Sequence, residues 1–116
     1  IDGSGLSQNA RCSAKTISET LEKAKNSFIM AEFISSLSVA GQDGTTRNRF
    51  KMIENASRAR LKTGTKKDVS SLAGYVFSEG GNAYSLVLII NKRNLSKIAA
   101  HKIQDSLLRW TLSLAN

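Results

Sequence analysis

Two short stretches hold residue types from which a hydrolytic or anion-binding site can be built. The first is Asp2-Gly3-Ser4-Gly5-Leu6-Ser7-Gln8-Asn9, a glycine-rich loop ending in Ser-x-Asn. The second is Lys62-Thr63-Gly64-Thr65, at the end of a stretch that reads as a β-strand. In isolation Ser7 and Asn9 are ordinary turn and capping residues, and Lys62 is a lysine that guards a sheet edge. Their order along the chain and the strand placement of the second stretch give the pair its weight. His101 is the only histidine and Cys12 the only cysteine. A Ser-His-Asp triad within this chain, an intrachain disulfide and a thiolate zinc site are therefore excluded. No metal and no cofactor is expected.

With its Asp-Gly-Ser-Gly-Leu-Ser lead-in, the combination resembles the D-Ala-D-Ala carboxypeptidase/endopeptidase family grouped as class C low-molecular-mass penicillin-binding proteins. Serine enzymes of that kind use Ser-x-x-Lys, Ser-x-Asn and Lys-Thr-Gly. Leu37-Ser38-Val39-Ala40-Gly41-Gln42-Asp43-Gly44-Thr45 and Ser71-Leu72-Ala73-Gly74-Tyr75 are similar to the family as well. The resemblance runs from residue 2 to about residue 90, and the last helix fits the family's C-terminal helix. It implies an α/β (α+β) fold of antiparallel strands with flanking helices, part of the β-lactamase/DD-peptidase-like fold. Residues 1–116 would be the C-terminal portion of a serine DD-peptidase (transpeptidase-like) domain.

The resemblance also implies a reaction. A serine attacks the acyl-D-Ala-D-Ala end of a peptidoglycan stem peptide in the periplasm, passing through an acyl-enzyme, and β-lactams are covalent inhibitors. With no histidine at work, a lysine in its neutral form serves as base. Ser7 joins the relay that returns a proton to the leaving D-Ala. Asn9 hydrogen-bonds the substrate's backbone amide and helps hold the catalytic lysine. Lys62 supplies positive potential for the terminal carboxylate, and the Thr63 hydroxyl binds that same carboxylate. Gly64 lets substrate approach the strand, and the Thr65 backbone N–H is the second oxyanion donor.

The chain departs from the family in lacking Ser-x-x-Lys. Thr20-Leu21-Glu22-Lys23 has the spacing without the serine and reads as surface spacing on an amphipathic helix. The chain begins at Ile1 with no signal peptide to read. The expectation is that the nucleophile sits on an N-terminal segment not included here, and that this chain alone does not acylate.

The elements that must position these residues follow from periodicity. Residues 1–12 read as a loop. Ala14, Ile17, Leu21, Ala24 and Phe28 mark one face of a helix, capped at Ser13 or by a Thr16–Glu19 capping box. A short helix is expected over Phe28–Leu37, a loop over Ala40–Thr46, and a short helix over Arg47–Ala56. Ala59–Thr65, Leu72–Ser78 and Ala83–Asn91 read as three strands of an antiparallel meander, the last two joined at Glu79-Gly80-Gly81-Asn82. Leu86–Ile90 is apolar at consecutive positions, as in a strand covered on both faces. Leu95–Leu114 reads as a helix with Ser96 as N-cap and Ile98, Ile103, Leu107, Trp110 and Leu114 on its apolar face, with Trp110 in the core. Cys12 is expected to be half-buried, His101 to be a surface or packing residue, and Asp43 to be a loop or cap residue that braces the site from outside. Three strands and one long helix leave two sheet edges and an open face, which suggests part of a larger body.

The 116 residues suffice for one domain, and no apolar run approaches membrane-spanning length. Seventeen Lys and Arg against nine acidic residues give a net charge of +8. That balance opens a second reading, a small basic module for nucleic acid or another polyanion with Lys-Thr-Gly there by chance. The cations are dispersed and lack the aromatic interleaving of such modules, so no nucleic-acid partner is expected. A third reading is a non-catalytic relative that keeps the fold for interaction only.

Overall fold

In the computed structural model residues 12–115 are described, Thr45 by its backbone alone. The element order is α1 (Ala14–Lys25), α2 (Met30–Ser35), β1 (Ser38–Val39), β2 (Ala59–Lys66), β3 (Val69–Phe77), β4 (Ala83–Asn91) and α3 (Lys97–Leu114), with 3-10 turns at Gly44–Thr46 and Ala56–Arg58. The strands form one antiparallel sheet in the order β1-β2-β3-β4. This is the expected mixture of antiparallel sheet and flanking helices, with β1 as an unforeseen fourth strand.

Local chemistry sets the boundaries. Ser13 caps α1, its side chain accepting from the Thr16 N–H at 3.0 Å, so Ser13 rather than a Thr16–Glu19 box starts the helix. Ser96 caps α3 in the same way through the Ala99 N–H. The β2–β3 turn is Lys67-Asp68, with Asp68 at φ 61°. Its carbonyl and carboxylate accept from Lys92 N and Asn94 N, which fastens the hairpin tip to the β4–α3 link. The β3–β4 turn closes through Ser78 and Asn82, with Gly81 at φ 88°.

The main core lies between the sheet and α3. Leu61, Leu72, Val76 and Leu86 meet Leu108 and Leu112 there, and the loop before β2 contributes Phe50 and Ile53. On the other face α1 covers β4. Tyr75 is buried there, its hydroxyl donating to the Leu21 carbonyl at 2.7 Å and its ring edge-on to Phe33. Burial, then the neighbouring Glu22 carboxylate, pushes the Tyr75 pKa up. Helices thus stand on both faces, and β4 has Leu86 buried and Val87–Ile90 half-buried.

Three expectations are corrected. Residues 47–55 form turns, not a helix, because Phe50 and Asn55 both adopt φ 64°, which breaks a right-handed helix. α3 packs through Ala100, Gln104, Leu108, Thr111 and Leu112, while Ile98, Ile103, Trp110 and Leu114 are exposed; Trp110 is 60% exposed and is not core. Cys12 is exposed rather than half-buried.

Candidate active-site edge

Lys62, Thr63, Gly64 and Thr65 occupy consecutive positions of β2, where the register with β3 is Lys62↔Ala73, Thr63↔Leu72, Gly64↔Ser71 and Thr65↔Ser70. Side chains alternate between the two faces. Thr63 and Thr65 leave on the α3 side, as Leu61 does, and Lys62 and Gly64 leave on the α1 side with Ser71. The side chains of Lys62 and Thr63 therefore depart from opposite faces. At the strand edge the Lys62 ammonium bends over to donate to the Thr63 backbone carbonyl at 2.7 Å.

That edge is open among the described residues because β1 is so short. β1 pairs Ser38 and Val39 with Leu61 and Arg60, and no described strand continues beyond them. Antiparallel pairing sets the residues before Ser38 opposite Lys62–Thr65, and there the chain is leaving α2, with Leu37 N still bonded to the Ile34 carbonyl at 3.0 Å. The Asp43 carboxylate accepts from the Val39 N–H at 2.7 Å, and buried Thr46 donates its hydroxyl to the Asp43 carbonyl at 3.0 Å. With Gly41 at φ 77° and Gly44 at φ 60°, these bonds turn the chain at the other end of β1, beside Ala59. Asp43 is a loop residue, as expected, and its carboxylate braces that loop.

The backbone direction at the edge follows from one bond. Ala40 N donates to the Ala59 carbonyl at 3.0 Å. In an antiparallel ladder alternate residues present N–H and C=O to the same neighbour. Thr63 and Thr65 accordingly present theirs on the β1 side, beyond the point where β1 ends. A peptide laid along this edge would meet a row of strand donors and acceptors, with the Lys62 ammonium at one end.

The electrostatics suit an anion. Lys62 is exposed, and among the described residues no carboxylate pairs with it. Lys66 and Lys67 follow within five residues of it. On the same face lies a groove of about 510 Å³ lined by Ile17, Lys67, Ser71, Val87, Ile89 and Asn91 among others. Gly64 is tightly placed there: a Cβ would come 2.5 Å from the Ser71 hydroxyl, which itself donates to the Gly64 carbonyl at 3.3 Å.

Ser7 and Asn9 lie outside the described residues, so their placement against Lys62 is not part of this geometry. His101 is partly buried on α3; burial, then the Arg49 and Lys97 cations, holds its pKa down, with Asp105 opposing. Among the described residues no group of His, Cys, Asp and Glu could hold a metal, and no helix is long and apolar enough to cross a membrane. Sequence reasoning missed the residues behind the edge. Ser70, the cross-strand partner of Thr65, is buried and accepts from the Gln104 side chain at 2.8 Å.

Comparison with known proteins adds lineage. The family described as D-Ala-D-Ala carboxypeptidase 3 (S13) matches residues 1–114. A D-alanyl-D-alanine carboxypeptidase of Actinomadura sp. is 37% identical over 92 residues, covering 74% of this chain and 17% of that protein. Carboxypeptidase DacB of Mycolicibacterium smegmatis is 33% identical over 98 residues, covering 78% of this chain and 21% of that protein. The crystal structure of penicillin binding protein 4 (dacB) from Haemophilus influenzae, complexed with a β-lactam, superposes with a TM-score of 0.75 at 26% identity, over 95% of this chain and 27% of that one. The chain thus spans about a fifth of the length of the curated relatives it matches.

Proposed function

The chain belongs to the D-Ala-D-Ala carboxypeptidase 3 (S13) family, and from that premise we propose that it forms the substrate-gripping half of a penicillin-binding serine D-Ala-D-Ala carboxypeptidase. The single observation that carries the reading is Lys62-Thr63-Gly64-Thr65 on a strand edge along which no described strand runs past Leu61, with an ammonium at one end that no described carboxylate pairs with.

In this reading a peptidoglycan stem peptide ending in D-Ala-D-Ala lies along the β2 edge. Its terminal carboxylate displaces the Thr63 carbonyl from the Lys62 ammonium and also takes the Thr63 hydroxyl. The scissile carbonyl oxygen points at the Thr65 N–H, which stabilises the charge that develops on attack. The absence of a side chain at Gly64 allows the close approach. Ser7 and Asn9 act from the other side, Ser7 returning a proton to the leaving D-Ala and Asn9 holding the substrate amide. The attacking serine and its lysine base come from a Ser-x-x-Lys segment outside this chain, so these residues make up the C-terminal portion of the catalytic domain. β-Lactams acylate the same serine, and the cell-wall substrate places the enzyme in the periplasm.

The test is acylation of the full-length enzyme by a fluorescent penicillin. Lys62→Ala and Ser7→Ala should each slow labelling by about 100-fold or more, with little loss of stability in Lys62→Ala because the side chain is exposed. Undiminished labelling in both variants would refute the assigned roles. Salt-dependent duplex binding with no labelling would favour the polyanion module instead.

A further inference from the structure

Behind the Lys62–Thr65 edge runs a buried polar relay. Gln104 is 1% exposed, on the face of α3 that packs into the core. Its Nε2 donates to Ser70 Oγ at 2.8 Å, and its Oε1 accepts from Arg49 Nη1 at 2.8 Å. Arg49 also reaches Asp105 at 3.3 Å, and its guanidinium lies over the Phe50 ring 4.3 Å from the centroid. One glutamine thereby joins three separate pieces of chain: the loop before β2, α3 and β3.

We propose that Gln104, with Arg49 and Ser70, is a positioning unit for the oxyanion donor, holding the end of the β2–β3 hairpin so that the Thr65 N–H keeps its place. This deepens the functional reading above and rests on it. Three observations support it. Ser70 is the cross-strand partner of Thr65, so the relay attaches one residue pair short of the hairpin's end, Lys66↔Val69, where a ladder frays most readily. Asp68 ties down the tip of the same hairpin through Lys92 N and Asn94 N, so the segment bearing Thr65 is held at two points. Finally, both polar atoms of the buried Gln104 amide are used, Nε2 on Ser70 and Oε1 on Arg49. What hydrogen bonds add is direction, and a fully satisfied network fixes one geometry.

An oxyanion donor tolerates displacement of only about 0.5 Å, and a misplacement of about 1 Å costs on the order of 100-fold in rate. The relay acts through Ser70 and the strand and touches no substrate.

The experiment measures acylation of the full-length enzyme by a fluorescent penicillin, resolving the acylation rate constant from the reversible affinity, alongside the thermal midpoint. Gln104→Met fills the site without hydrogen bonds. It should lower the acylation constant by about 10- to 100-fold with little change in reversible affinity, and lower the midpoint modestly because Ser70 and Arg49 each lose a partner. Gln104→Glu keeps the Arg49 contact, and the Ser70 hydroxyl can turn to donate to the carboxylate. It should restore most of the wild-type rate. The proposal is overturned if Gln104→Met acylates at the wild-type rate, if Gln104→Glu is as slow as Gln104→Met, or if Leu112→Val, a core change outside the relay that also lowers the midpoint, slows acylation as much. A wild-type enzyme that takes no label would instead overturn the functional reading itself, and the relay with it.

Discussion

Gly64 and Gly74 stand on adjacent strands and are glycine for different reasons. Gly74 faces Leu61 across the β2–β3 ladder, and a Cβ there would lie 1.9 Å from the Arg60 carbonyl oxygen, a backbone atom that cannot step aside. At Gly64 the obstacle is the Ser71 hydroxyl at 2.5 Å, which can rotate. Gly74→Ala should therefore destabilise the fold by roughly 3 kcal/mol or more. Gly64→Ala should cost roughly 1 kcal/mol or less in stability yet slow acylation at least tenfold, by crowding the approach to the edge. Thermal melts and penicillin labelling of the two variants in the full-length enzyme check the pair; the opposite ranking would mean that Gly64 is structural. At this scale the residues proposed to grip the substrate were legible in the sequence because their chemistry is written contiguously, at 62–65. The Arg49–Gln104–Ser70 relay was not, since its members are brought together only by folding. The one local signal was a glutamine set among apolar positions of the last helix.

The elements divide according to how local their causes are. Strands β2–β4 were readable because each is bounded by turn chemistry in its own sequence: Lys67-Asp68, and Ser78 to Asn82 with Gly81. β1 was not, because its two residues pair only by virtue of the Asp43 and Thr46 bonds that fold the following loop. For α3 the helix was legible and its packed face was not. Apolar residues occupy more than one stripe, and close approach to the sheet selects the one that includes the small Ala100 and Thr111 over the bulkier Ile103–Trp110–Leu114 stripe. The seat of α1 on β4 is electrostatic as well as apolar. Glu22 pairs with Lys25 at 2.8 Å and accepts from the Ser85 hydroxyl, while Lys25 donates to the Ala83 carbonyl at 3.2 Å. Lys25, and next Ser85, hold the Glu22 carboxyl below its ordinary value of 4.5. The folded state thus releases this proton more readily than the unfolded one. The contribution is complete above pH 4.5 and is lost as pH falls through the lower, folded value. Glu22→Gln should therefore flatten the acid limb of the thermal midpoint in this region while lowering the plateau near neutral pH slightly, the pair being partly exposed. Parallel wild-type and variant profiles would contradict this.

Seen whole, the described residues form a sheet with helices on both faces, yet two kinds of surface stay open. One is the β2 edge beyond β1; the other is the exposed Ile103–Trp110–Leu114 stripe of α3, together with the outer edge of β4, with which no described strand pairs. The open sheet face expected from the sequence is not found, because α1 and α3 of this chain cover the apolar run of β4 from both sides; the chain spans about a fifth of its curated relatives. Lys62, Lys66 and Lys67 add local positive potential that favours an anionic ligand at this end of the hairpin, although the cations as a whole are dispersed. The account's central claim is that this end grips the substrate while a serine outside the chain attacks. Its most direct measurement is a crystal structure of the full-length enzyme acylated by a β-lactam. The adduct's ester carbonyl oxygen should accept from the Thr65 N–H at about 2.7–3.1 Å, with the β-lactam carboxylate against Lys62 and Thr63. An adduct lying away from the β2 edge, or one whose carboxylate makes no contact with Lys62, would contradict it.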